Sequence, residues 1–226
     1  MPTLTELFEV HGLVSYDKQL TLSALVEGYP TVSYRDGNLA FGANLSFPIQ
    51  LIGSQSDYDN TWLWAWANTG LRGWPIEASR QLRAFGLSNH VPELTQPKFE
   101  LDDLDGHYLS MIGVGLLSAD CYYRLPHDEG AGFLVIPSAP EVRALSDLSA
   151  HYIASRITDF ICRYSCIHRI AVEHYLRSKG YTFSYSGLEL TATSAQNQSL
   201  QLRFNAAGLL LETSAVVTGP VYPRGA

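Results

Sequence analysis

The segment Asp59-Asn60-Thr61-Trp62-Leu63-Trp64-Ala65-Trp66-Ala67-Asn68 sets three of the chain's four tryptophans at every second position. A strand sends successive side chains to opposite faces, so Trp62, Trp64 and Trp66 would share one face and Leu63, Ala65 and Ala67 the other. A helix would scatter the three, because residues two apart do not lie side by side on it. The spacing therefore predicts a strand over residues 61–67. An indole-lined face of that kind reads first as core between a sheet and a helix, and second as the wall of a ligand or partner site.

The rest of the sequence supplies both helix and sheet. Residues 3–27 read as a helix capped by Thr3 or Thr5, with Gly12 as a break and Gly28-Tyr29-Pro30 as its end. Thr31–Arg35 and Asn38–Phe41 flank Asp36-Gly37, a turn pair that predicts a two-residue hairpin with Val32 opposite Phe41 and Tyr34 opposite Leu39. Leu45–Ser54 reads as a strand with Pro48 at an edge or bulge. A helix over Ile76–Phe85, loop over 86–104 and a buried helix over His107–Ala119 follow. Cys121–Leu125 and Gly132–Ile136 read as strands joined by Pro126–Gly130.

Pro137-Ser138-Ala139-Pro140 marks a boundary. Beyond it, Asp147–Lys179 reads as one long or broken helix. Strands then follow at 181–186, 188–193, 200–204 and 209–217, with a loose tail over Val221–Ala226. The expected fold class is α+β, with antiparallel sheets and long helices packed on one face. The segment Gly180-Tyr181-Thr182-Phe183-Ser184-Tyr185 echoes Gly28-Tyr29-Pro30-Thr31-Val32-Ser33-Tyr34, which suggests two helix-plus-meander halves. The expected domains are 1–137, carrying the tryptophan strand, and 141–219, a long helix with a four-stranded meander.

The tryptophan strand following Gln50-Leu51-Ile52-Gly53-Ser54, together with Tyr123-Arg124-Leu125-Pro126 as a Tyr-Arg-x-Pro stretch, resembles an uncharacterised bacterial domain family. The resemblance covers roughly residues 1–137. It implies kinship of fold and, because the family has no assigned activity, no functional residues.

Composition narrows the function classes. The 226 residues are 46% hydrophobic and 16% charged, a folded globular balance, and the net charge of −7 lacks the basic stripe of a nucleic-acid binder. Cys121, Cys162 and Cys166 form an odd, sparse set, which fits a reducing cytoplasm, and the N-terminus has no signal-peptide pattern. No apolar run reaches bilayer length. Cofactor, metal, membrane and nucleic-acid partners are therefore not expected.

Candidate chemistry is thin. Cys162, Cys166 and His174 would share a face if their helix were continuous, yet no second Cys/His pair completes a zinc set. Asp57-x-Asp59-Asn60 lacks the glycine and terminal glutamate of a calcium loop. Asp102, Asp103 and Asp105 suit a helix N-terminus, and His127-Asp128-Glu129 suits a solvated turn. No catalytic residue is assigned. Trp62, Trp64, Trp66 and Tyr123 are the candidate ligand- or partner-binding residues, although the favoured reading of the indoles is an enclosed core between sheet and helix.

The leading expectation is a non-enzymatic cytoplasmic protein-interaction protein, with a bacterial immunity or antitoxin-like protein that occludes a toxin as the concrete form. The alternatives are a small-molecule module with an aromatic pocket, and an enzyme of unrecognised type using His151, His168, His174 or Cys166.

Overall fold

A computed structural model of the chain describes residues 1–71, 75–102, 104–145 and 148–216. Trp74, Asp103 and the tail Val221–Ala226 lie outside the described residues. The fold is α+β, and the chain divides into two compact units, Met1–Ser146 and Asp147–Ala226.

The first unit opens with helix α1 (Leu4–Leu25). Thr3 and Glu6 cap it reciprocally: Thr3 Oγ1 accepts the Glu6 N–H, and a Glu6 carboxylate oxygen accepts the Thr3 N–H. Gly12 does not interrupt it; it lies buried along the helix with Phe8, Leu13 and Tyr16. A meander of β1 (Thr31–Ser33), β2 (Asn38–Phe41) and β3 (Leu45–Pro48) follows. Its first turn is longer than expected. Val32 faces Leu39, and Tyr34–Gly37 form the loop. The cause is local: Ser33 Oγ donates to Asp36 Oδ2 at 2.7 Å and accepts the Asp36 N–H, which ties the chain before Asp-Gly can close a two-residue turn. The two-residue slip keeps every side chain on its expected face.

The sheet that carries the tryptophans has five antiparallel strands in the order β6-β5-β4-β8-β7. They are β4 (Gln50–Ser56), β5 (Thr61–Trp64), β6 (Lys98–Glu100), β7 (Cys121–His127) and β8 (Gly130–Ile136). Pro48 splits the strand expected over 45–54 into β3 and β4, which belong to different sheets. β6 falls in a region that reads as loop in the sequence; its three residues are too few for a periodic signal.

Helices α2 (Glu77–Asn89) and α3 (Gly106–Leu116) pack with α1 on one face of this sheet. Side chains from the strands cap their N-termini. Gln50 Oε1 accepts the Ala78 N–H at 2.6 Å and Gln55 Oε1 accepts the Gly106 N–H at 2.8 Å. On the other face a second core joins Leu39, Phe41 and Phe47 of the meander to Leu51, Cys121, Leu134 and Ile136 of the sheet. The short helix α4 (Pro140–Ala144) adds Val142 to it.

The second unit holds α5 (Ala150–Ile161), α6 (His168–Ser178) and the meander β9 (Thr182–Ser186), β10 (Glu189–Thr193), β11 (Ser199–Phe204) and β12 (Leu210–Val216). The helical stretch after residue 147 is thus two helices, broken at Cys162–Ile167. Ile153, Ile157 and Phe160 of α5 and Val172, Tyr175 and Leu176 of α6 are buried, as are Leu190, Leu200, Leu202 and Phe204 of the sheet. Gly28 and Gly180, just past the ends of α1 and α6, both take left-handed backbone with φ near +72° and +73°. Among the described residues no helix is long and apolar enough to cross a membrane.

Candidate functional site

The tryptophan segment bends where the sequence reads straight. β5 ends at Trp64, and Ala65–Ala67 wind into a 3-10 turn. The turn is held by Ser79 of α2, whose hydroxyl accepts the Trp66 N–H at 3.2 Å and donates to Ile52 O at 2.8 Å. Trp62 and Trp64 keep the helix-covered face and are fully buried, whereas Trp66 turns away to lie half-buried beneath the Arg83 guanidinium, 4.3 Å from the ring centroid.

Trp62 is the hub of an aromatic core. Its ring lies 5.3 Å from Trp64 and 5.4 Å from Phe133, and Phe133 meets His107 edge to face at 5.4 Å. His107 Nδ1 and the Tyr122 hydroxyl are 2.8 Å apart. Burial holds the His107 pKa below its usual value, with nearby Asp105 opposing and Arg124 reinforcing the shift. Gly53 makes the packing possible. A Cβ there would stand 2.5 Å from Trp62 Cε2 and 2.9 Å from Leu63 O.

The indole N–H groups are not met by Asn60, Asn68, Asp57 or Asp59. Trp64 Nε1 donates to the Glu93 carbonyl at 2.8 Å, and those of Trp62 and Trp66 have no hydrogen-bond acceptor among the described residues. Asp59 is engaged elsewhere, accepting from Lys98 Nζ at 2.8 Å and Thr61 Oγ1 at 2.7 Å. The Lys98 hydrogen bond, then that of Thr61, holds its carboxyl well below the usual carboxylate range.

Tyr123 lies on the opposite face, its ring 5.5 Å from Phe41 within the second core. Burial raises its pKa, and Tyr29 adds to the effect. The four candidate residues therefore do not converge: two are enclosed, Trp66 packs under Arg83, and Tyr123 faces the small meander.

What opens to solvent is the part of that second face which the meander leaves uncovered. A cleft of about 310 Å³ is lined by Tyr34, Ser54, Asn68, Leu71, Leu125 and His127 with Leu51 and Gly132 beneath. A shallower one of about 210 Å³, lined by Ser54, Ser56, Leu63, Lys98, His127 and Glu129, shares Ser54 and His127 with it. Together they form a trough across β5, β4, β8 and β7. Its floor alternates small polar and aliphatic groups, and its rim carries both charge signs in Lys98, which pairs with Asp59 at 2.8 Å, and Glu129. His127 Nδ1 accepts the Glu129 N–H at 3.3 Å, so that nitrogen is spent on its own turn. The sequence carries a faint signal for this face: after Ile52, strand β4 reads Gly-Ser-Gln-Ser, where the apolar alternation stops.

The histidines and cysteines are dispersed. Cys162 caps the end of α5, Cys166 lies in the break, and His174 sits in α6, so the helix face that would unite them does not exist. His168 Nδ1 accepts the Leu210 N–H at 3.0 Å. Burial pushes the Cys121 thiol up to about 12, with the Asp120 charge adding to the effect, which removes thiolate character. Among the described residues no group of three or more His, Cys, Asp or Glu side chains is placed to hold a metal ion.

Residues 5–139 match the family of unknown function DUF6882. The chain belongs to this family. Its matched region spans the tryptophan strand, the five-stranded sheet and the trough, and stops before α5 and the second unit. No curated protein and no solved structure matches the chain.

Proposed function

We propose that this is a non-enzymatic protein-interaction protein whose family-matched unit receives a segment of a partner protein in the trough across its five-stranded sheet. The observation that carries the reading is the trough's form. Two open clefts adjoin across several strands, with small polar groups over an aliphatic floor, which suits an extended chain better than a small molecule that must be mostly enclosed. The net charge of −7 favours a basic partner. In its concrete form the chain works in a bacterial cytoplasm as an immunity- or antitoxin-like protein that occludes a toxin surface.

The test is co-purification of the tagged chain from its native host. The reading expects one stoichiometric protein partner, and recovery of none at native expression levels counts against it. A small ligand remains the second reading because the larger cleft, at about 310 Å³, reaches the lower end of ligand-pocket volumes. The indoles have no part in that pocket.

A further inference from the structure

Strand edges expose unpaired N–H and C=O groups, and proteins usually protect them with charge, proline, bulges or short length. Most edges here follow that rule. β6 has three residues and carries Lys98 and Glu100; β7 carries Arg124 and Pro126; β1 has three residues; β3 ends in Pro48. β12 carries Glu212 and pairs through a register shift at Arg203/Phe204. Among the described residues, β9 is the exception. Thr182-Phe183-Ser184-Tyr185-Ser186 is an outer strand of its sheet, with no charge, no proline and no bulge, and four of its five residues are exposed.

The free groups on that edge can be assigned. Ser186 and Glu189 close the two-residue turn Gly187-Leu188, with φ +62° at Gly187, so they form the hydrogen-bonded pair of the hairpin. Pairs then alternate along the ladder. Ser184 bonds with Thr191, and the backbone groups of Phe183 and Tyr185 point away from β10.

We propose that β9 pairs antiparallel with β9 of a second copy of this chain, about a two-fold axis at Ser184. In that register Phe183 of each copy meets Tyr185 of the other as a hydrogen-bonded pair, and the two Ser184 residues form the close non-bonded pair at the axis. The strand is self-complementary there because it carries no charge to oppose itself. The neighbouring helix adds attraction. Arg177 stacks over Phe183 at 4.8 Å, Glu173 accepts from the Tyr185 hydroxyl at 2.6 Å, and the two side chains pair with each other at 3.0 Å; pairing Phe183 with Tyr185 therefore sets the Arg177–Glu173 pair of one copy antiparallel to that of the other, with opposite charges facing. This contact is separate from the trough and does not depend on it.

The test is sedimentation of the full chain over a concentration series, as wild type, Ser184→Lys, Ser184→Glu and an equal mixture of the two variants. Ser184 is exposed, so either substitution leaves the fold in place, and its far-UV circular dichroism checks that. Like charges meet about 4.5 Å apart between α-carbons at the axis in each single variant, and opposite charges meet in the mixture. The expected result is a wild-type dimer, two monomeric variants and a mixed dimer. Wild type that stays monomeric, a Ser184→Lys dimer, or a mixture that fails to pair overturns the proposal. In wild type alone, amide exchange at Phe183 and Tyr185 slows with concentration while Ser184 is unchanged; equal behaviour of the three amides also overturns it.

Discussion

Replacing Gly53 with alanine tests the placement of Trp62 by the sign of its effect. On an ordinary strand, Gly→Ala stabilises by roughly 0.4–1 kcal/mol, because it restricts the unfolded chain. Here the added methyl would stand 2.5 Å from Trp62 Cε2 and 2.9 Å from the Leu63 carbonyl. Neither neighbour yields easily. The carbonyl belongs to β5, and the indole is held by Trp64 at 5.3 Å and Phe133 at 5.4 Å. Overpacking of this kind costs roughly 1–3 kcal/mol, which exceeds the backbone gain. The expected net effect is destabilisation by about 1–2 kcal/mol. Urea denaturation followed by tryptophan fluorescence is the assay. All four tryptophans precede residue 147, so the signal reports the first unit. Trp62→Phe shortens the ring at the contact, and the double variant should lose less than the sum of the two single losses. A Gly53→Ala protein that is unchanged or more stable refutes the packing described.

Two further outcomes follow from the titrating groups. Burial depresses His107 below its usual 6.5, so the folded first unit holds it neutral while the unfolded chain protonates it near pH 6.5. Stability of that unit is full above pH 6.5 and declines as the pH falls below 6.5 towards the lowered folded-state value; His107→Gln should flatten this slope in fluorescence-detected melts, and an unaltered slope contradicts the assignment. Cys162 is exposed, whereas Cys121 is buried with its thiol pushed up to about 12. A maleimide at neutral pH should therefore label Cys162 in the native protein and reach Cys121 after denaturation, as read by peptide mass spectrometry; native labelling of Cys121 at a similar rate argues against its placement.

The elements most legible in the sequence are those whose side chains repeat. The period-two indoles announce β5, and Ile153, Ile157 and Phe160 announce α5. The errors fall where a single tertiary contact overrides local pattern. Ser79 bends the chain after Trp64, the Ser33–Asp36 exchange lengthens the first turn, and Pro48 separates two sheets. The trough was illegible for a different reason. Its residues come from six separated stretches, and what defines it is the reach of the small meander over the larger sheet, a property of packing that no local window encodes. Buried aromatics draw the eye in a sequence, while the open face is marked by little more than serine and glycine.

In the proposed function the open trough, and not the tryptophan face, receives the partner. Its most direct test is parallel capture from the native host with wild type, Ser54→Arg in the trough and Thr191→Arg on the exposed sheet face of the second unit. Ser54 is half-buried in the floor shared by both clefts, so an arginine there fills the trough without entering the aromatic core. Wild type and Thr191→Arg are expected to retain a stoichiometric protein partner, and Ser54→Arg to lose it while melting at an unchanged temperature. A partner held equally by Ser54→Arg, or no partner on any of the three, would contradict the proposed function.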